Sequence, residues 1–142
     1  MHTVRQILNE KGTDIWSVTP DSIVIDAVRR MAELGVGALL VMENDQLAGI
    51  FSERDYARKV ILEGRSSRDT HVRDIMTSKV TTIDPRAMAD EGLALMTQKR
   101  IRHLPVVESG MVIGLVSIGD LVDAVLGDQQ QLIEQLERYV SG

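Results

Sequence analysis

Cysteine is absent from the 142-residue chain, which excludes a disulfide framework, a thiolate metal site and a cysteine nucleophile. Aromatic residues make up 3%, namely Trp16, Phe51, Tyr56 and Tyr139, so Val, Ile, Leu, Met and Ala must build the core. Basic runs are missing as well. No Lys/Arg block exceeds two in a row, the formal charge is −5 and the pI is about 5.2. A general binder of phosphate backbones needs a basic surface, so no nucleic-acid partner is expected. No stretch approaches the roughly 18 apolar residues of a membrane helix. The N-terminal "MHTVRQILNE" lacks the apolar run of a secretory leader. The expectation is a soluble cytoplasmic protein without a membrane partner.

What the chain does have is 44% hydrophobic residues and a repeat. The length suffices for one compact unit, or for two halves that share a core. A shift of 65 positions brings Pro20 onto Pro85, Met31 onto Met96, Leu39 onto Leu104, Val41 onto Val106 and Glu43 onto Glu108. The same shift lays Gly49 on Gly114, Ser52 on Ser117, Asp55 on Asp120 and Val60 on Val125. Upstream, "VRQIL" at 4–8 matches "VRDIM" at 72–76 with a shift of 68, so the first lead-in is three residues longer. Identities clustered at Gly, Pro, Ser and Asp mark a duplication.

Both halves give the same coarse reading. A short extended piece (Trp16–Thr19; Val80–Ile83) meets a turn at "TPDS" or "DPRA", where proline fixes φ before a helix. The helix has Ile23, Ala27, Val28, Met31 and Leu34 on one face in the first copy, and Met88, Gly92, Leu93 and Met96 in the second. Two apolar runs follow, "ALLVM" and "LAGIF" bridged by "ENDQ", then "LPVVE" and "MVIGLV" bridged by "SG"; both bridges predict hairpin turns. A last helix opens at Ser52 or Ser117, good N-cap types. Half the chain alone would leave one sheet face bare, and two copies packed sheet to sheet would cover it. The linker between copies is "LEGRSSRDTH" at 62–71.

The repeat, the "GIFSERD" and "GLVSIGD" joints at 49–55 and 114–120, the "IRHLPVV" run and the "VRDIMT" lead-in resemble a tandem cystathionine-β-synthase (CBS) domain pair, or Bateman module. The resemblance spans about residues 1–127. It implies an α/β fold of two pseudo-two-fold-related β-α-β-β-α repeats, at 1–66 with a lead-in helix and at 67–127, followed by a C-terminal helix at 128–142. It also implies an adenine nucleotide in the inter-repeat cleft, with serine near phosphate and aspartate on the ribose hydroxyls.

The first implied site groups Ile50, Ser52, Arg54 and Asp55 with Thr77, Val80, Arg102 and His103. The second, weaker site groups Leu115, Ser117 and Asp120 with Thr13, Ile15, Gly37 and Ala38. Only the first has basic residues where phosphates usually lie in the family. Physical chemistry is consistent with this: a helix start favours an anion, and a carboxylate one turn later can accept from a cis-diol. The same "SxxD" pattern also serves simply as a capping box. Gly49 and Gly114 fit close approach by either a ligand or another backbone.

Other chemistries find no support. "GVGALL" lacks a third glycine and precedes a strand, no "GxxxxGK[ST]" exists, and His2, His71 and His103 lack metal-ligand spacing. Ser52 has no base in its segment, so no enzyme, catalytic cofactor or metal is expected. The expectation is a regulatory module binding AMP or a relative (ATP or ADP), shifting between conformations that a regulated protein partner distinguishes. NAD or S-adenosylmethionine, or a structural interaction protein with vestigial clefts, are the alternatives. The family suggests a homodimer. The tail "DQQQLIEQLERYV" has Leu132, Ile133, Leu136 and Val140 on a narrow apolar stripe, which suits packing on its own module or across a dimer.

Overall fold

The computed structural model describes residues 1–12 and 14–141. They form two compact units: Ile15–Thr81, and Met1–Asp14 with Thr82–Gly142.

In the first unit, β1 (Ser17–Val18) runs parallel to β2 (Ala38–Glu43), which pairs antiparallel with β3 (Gln46–Ser52). Asn44 and Asp45 both adopt positive φ, 52° and 62°, as a two-residue hairpin matched to strand twist requires. Helix α2 (Val24–Leu34) stops at Gly35, whose φ of 66° is left-handed. Its buried face, Val24, Ala27 and Met31, meets Leu39, Val41 and Phe51 from the sheet. Helix α3 (Glu53–Asp55) leads into a π-helical turn, Tyr56–Ile61, that buries Val60. Helix α4 (Val72–Ile75) adds Val72 and Ile75 to that core.

The second unit repeats the plan. Helix α5 (Ala89–Lys99) is followed by the hairpin β4 (His103–Glu108) and β5 (Met111–Ser117), turned by Ser109 and Gly110 with φ of 52° and 80°. The register slips between Val106 and Val107, as it does between Val41 and Met42. The extended piece before α5 is reduced to one parallel bridge, Ile83 to Val106. Helix α1 (Val4–Lys11) buries Val4, Ile7 and Leu8 among Met96, Leu104, Val106, Val116 and Leu121.

The sequence repeats and the compact units therefore do not coincide. The lead-in helix α1, expected with repeat 1, packs in the unit built from repeat 2: Val4 N–H donates to Ala87 C=O at 2.8 Å and Arg5 N–H to Pro85 C=O at 2.9 Å. The "VRDIMT" segment, expected to open repeat 2, docks on repeat 1 through equivalent bonds, Val72 N–H to Ser22 C=O at 2.9 Å and Arg73 N–H to Pro20 C=O at 3.0 Å. The compact units thus cut across the sequence repeats expected at 1–66 and 67–127. Residues 62–71 are not a free linker either. Ile25 and Val24 N–H donate to Ser67 and Thr70 C=O at 2.9 Å each, and the Tyr56 and Ser67 hydroxyls are 2.8 Å apart. Nor is 128–142 a separate helix, because α6 runs unbroken from Ile118 to Ser141.

Candidate ligand-binding motifs

Ser52 ends β3 in extended conformation and caps α3. Its hydroxyl accepts from Asp55 N–H at 3.2 Å, while Asp55 Oδ2 accepts from Ser52 N–H at 3.0 Å and from the Ser52 hydroxyl at 3.1 Å. This is a reciprocal capping box. The other oxygen, Oδ1, accepts from the Thr77 hydroxyl at 3.2 Å and pairs with Lys59 Nζ at 2.9 Å. A carboxylate has about four acceptor positions, so the buried Asp55 has spent all of them within its own unit.

Thr77 gets there through Gly49. Ile50 and Thr77 exchange both backbone hydrogen bonds, at 3.0 and 2.9 Å, which adds the Met76–Thr77 segment to the edge of β3. A Cβ on Gly49 would lie 2.7 Å from Thr77 O and 2.9 Å from Met76 Sδ. Gly49 thus makes room for another backbone. On the second strand Gly114 makes room for a side chain instead, with Leu8 Cδ2 2.7 Å from the position of its Cβ.

In the second unit Ser117 and Asp120 form the same box: Ser117 N–H donates to Asp120 Oδ2 at 2.8 Å and Asp120 N–H to the Ser117 hydroxyl at 3.2 Å. The lysine arrives from a different element. Lys11, at the end of α1, reaches Asp120 Oδ2 at 2.6 Å and Leu115 C=O at 2.8 Å. Asp120 Oδ1 makes no hydrogen bond among the described residues. Burial raises the Asp120 carboxyl, but the Lys11 ammonium and the Ser117 donors outweigh it and hold the group below the usual carboxylate range.

Each motif also sits beside the start of its own repeat's hairpin. Ser52 pairs in register with Ala38, and Glu53 N–H donates to Gly37 C=O at 3.0 Å. Ser117 pairs with His103, and Ile118 N–H donates to Arg102 C=O at 2.8 Å. Arg102 and His103, expected with Ser52 and Asp55, thus neighbour Ser117 and Asp120; Gly37 and Ala38, expected with Ser117, neighbour Ser52. Burial lowers the His103 pKa, and the cations of Lys11 and Arg102 lower it further against a smaller pull from Asp120. Its charge therefore appears below pH 6.5 rather than through it. Ile15 and Val80 belong to the first unit, and Leu115 to the second. Arg54 is exposed on α3. Thr13 lies outside the described residues. A pocket of about 440 Å³ opens beside Asp120, with Ile7, Lys11, Asp123 and Ala124 in its wall.

Lysines 11 and 59 had no place among the expected site residues. Lys59 was legible in principle, as an i+4 partner of Asp55 on one helix. Lys11 was not, because 109 residues separate it from Asp120. Among the described residues no cluster of three or more His, Asp or Glu is suited to a metal ion, and no helix is long and apolar enough to cross a membrane.

Two repeats of an extended piece, a helix, a hairpin and a second helix, each with a capped serine–aspartate joint after its hairpin, define a CBS pair. The chain matches the CBS domain family over residues 4–62 and 72–127, and it belongs to that family. It is 42% identical over 150 residues to the mitochondrial CBS domain-containing protein CBSX3 of Arabidopsis thaliana, covering 99% of this chain and 72% of that one. A solved CBS-domain protein from Burkholderia ambifaria superposes with a TM-score of 0.86 at 53% identity, over 90% of this chain and 96% of the other. The CBS domain protein PAE2072 from Pyrobaculum aerophilum, solved in complex with AMP, shares the fold with a TM-score of 0.74 at 20% identity, over 84% and 89% of the two chains.

Proposed function

We propose that this chain is a non-catalytic regulatory module that senses AMP or a related adenosine ligand, ATP or ADP, acts as a homodimer and signals to a protein partner. The AMP complex of the Pyrobaculum protein supports the ligand class. NAD and S-adenosylmethionine present the same adenosine and compete for the same role.

One observation carries the reading and chooses the motif. Among the described residues Asp120 Oδ1 makes no hydrogen bond at the first turn of α6, while Lys11 holds Oδ2, His103 lies near and Arg102 C=O accepts from the neighbouring Ile118 N–H. A ribose diol can donate to Oδ1, and the exposed Arg102 offers phosphate a fixed fork of donors. At Asp55 every acceptor position is taken. The sequence alone favoured Asp55 as the stronger ribose contact; the hydrogen-bond count moves the proposal to Asp120.

Calorimetric titration with AMP and adenosine tests it. Asp120→Asn should weaken both ligands about tenfold or more, the loss of a charge-assisted hydrogen bond of roughly 1.5–3 kcal/mol. Asp55→Asn should change affinity little. Arg102→Ala should weaken AMP and spare adenosine, which has no anion. A larger loss at Asp55 than at Asp120, or no binding by the wild type, overturns the proposal.

A further inference from the structure

Helix α6 is 24 residues long, yet its only fully buried residue is Leu121. Beyond the core, six exposed positions recur at alternating spacings of four and three: Val122, Leu126, Gln129, Ile133, Leu136 and Val140. Leu126, Ile133 and Val140 fall exactly one heptad apart, and so do Val122, Gln129 and Leu136. That 3.5-residue period is the seam of a helix packed along another helix over its full length. Leu126, Ile133, Leu136 and Val140 are 57%, 48%, 55% and 85% exposed.

The seam predicts its occupant. From Val122 to Val140 it is roughly 27 Å long at 1.5 Å per residue. No other helix among the described residues matches it, since α1, α2 and α5 have 8, 11 and 11 residues. The α6 of a second copy does, and carries the same stripe. Charge sets the direction. One flank of the seam is apolar, with Val125, Leu132 and Tyr139, and the other holds Asp123, Gln130 and Glu137. Antiparallel helices would set Asp123 of one chain opposite Glu137 of the other. Parallel helices set Leu132 against Glu137, with no like charges opposed, and bring Gln129 onto its own copy as a register pin. With Leu132 and Tyr139 included, the apolar residues of the stripe are 38–86% exposed along its whole length.

We propose that two copies associate through a parallel coiled coil of their α6 helices along this seam. The inference deepens the homodimer reading and is independent of the nucleotide.

The chain lacks cysteine, so single thiols report on the geometry. Gln129→Cys and Leu136→Cys should each form a disulfide-linked dimer under mild oxidation, and Arg138→Cys, on the outer face, should not. Ile133→Glu with Leu136→Glu, both at exposed sites, should lower the sedimenting mass from twice the chain mass to the 15.7 kDa monomer while the circular dichroism of the folded units persists. A wild-type monomer would remove the homodimer altogether. A wild-type dimer in which Gln129→Cys and Leu136→Cys fail to cross-link, or which survives the double substitution, would overturn the seam alone. AMP titration of the double variant should match wild type, which separates this inference from the nucleotide proposal.

Discussion

Gly49 and Gly114 occupy equivalent strand positions, yet a methyl group should cost very different amounts at the two. At Gly49 a Cβ lies 2.7 Å from the Thr77 carbonyl oxygen, a backbone atom held by two hydrogen bonds to Ile50. Relief requires the Met76–Thr77 segment to move. That strains bonds of about 1 kcal/mol each and adds an overpacking cost of roughly 1–3 kcal/mol. At Gly114 the nearest atoms are the methyl groups of Leu8, which a small rotation moves aside for about 1 kcal/mol. Both substitutions recover about 0.4–1 kcal/mol by restricting the unfolded chain. The net expectation is a loss of about 2–3 kcal/mol for Gly49→Ala and at most about 1 kcal/mol for Gly114→Ala. Calorimetric melting at fixed protein concentration measures this as a drop in Tm several degrees larger for Gly49→Ala. Hydrogen exchange supplies the local test, since the Ile50 and Thr77 amides should lose protection in Gly49→Ala only. Equal Tm losses, or unchanged protection at those two amides, would refute the argument that a backbone contact differs from a side-chain contact here.

Gly35→Ala should destabilise by about 1 kcal/mol although a Cβ there meets nothing within 4 Å, because the left-handed φ of 66° alone opposes it; chemical denaturation measures the loss. Two histidines of the second unit should titrate on opposite sides of 6.5 by NMR. His2 is raised by its hydrogen bond to Asp128, at 2.6 Å, with Glu10 assisting against burial, so its contribution to stability is full below pH 6.5 and lost as pH rises through its folded value. His103 is lowered by burial and by Lys11, so its contribution is present above pH 6.5 and lost as pH falls through its folded value. Histidine resonances that both titrate on the same side of 6.5 would contradict these environments.

Structure confined to a few neighbouring residues was legible from local signals. "ND" and "SG" between apolar runs specified two-residue turns, because Asn, Asp and Gly tolerate the positive φ such turns need. Ser and Asp three apart specified the capping boxes, and the repeat specified that every element would occur twice. Which unit each lead-in joins was not written locally. "VRQIL" and "VRDIM" are nearly the same amphipathic segment, and either could bury Val and Ile against either sheet. The tertiary structure decided, by seating the Leu8 methyls at Gly114 and the Thr77 backbone at Gly49. The same packing decided the chemistry of the two aspartates. Thr77 and Lys59 fill the last acceptor positions of Asp55, whereas Lys11, from the opposite end of the chain, pairs with Asp120 Oδ2 and leaves Oδ1 without a hydrogen bond among the described residues. Acceptor capacity is a property of three-dimensional neighbours, and no spacing of Ser and Asp along the chain encodes it.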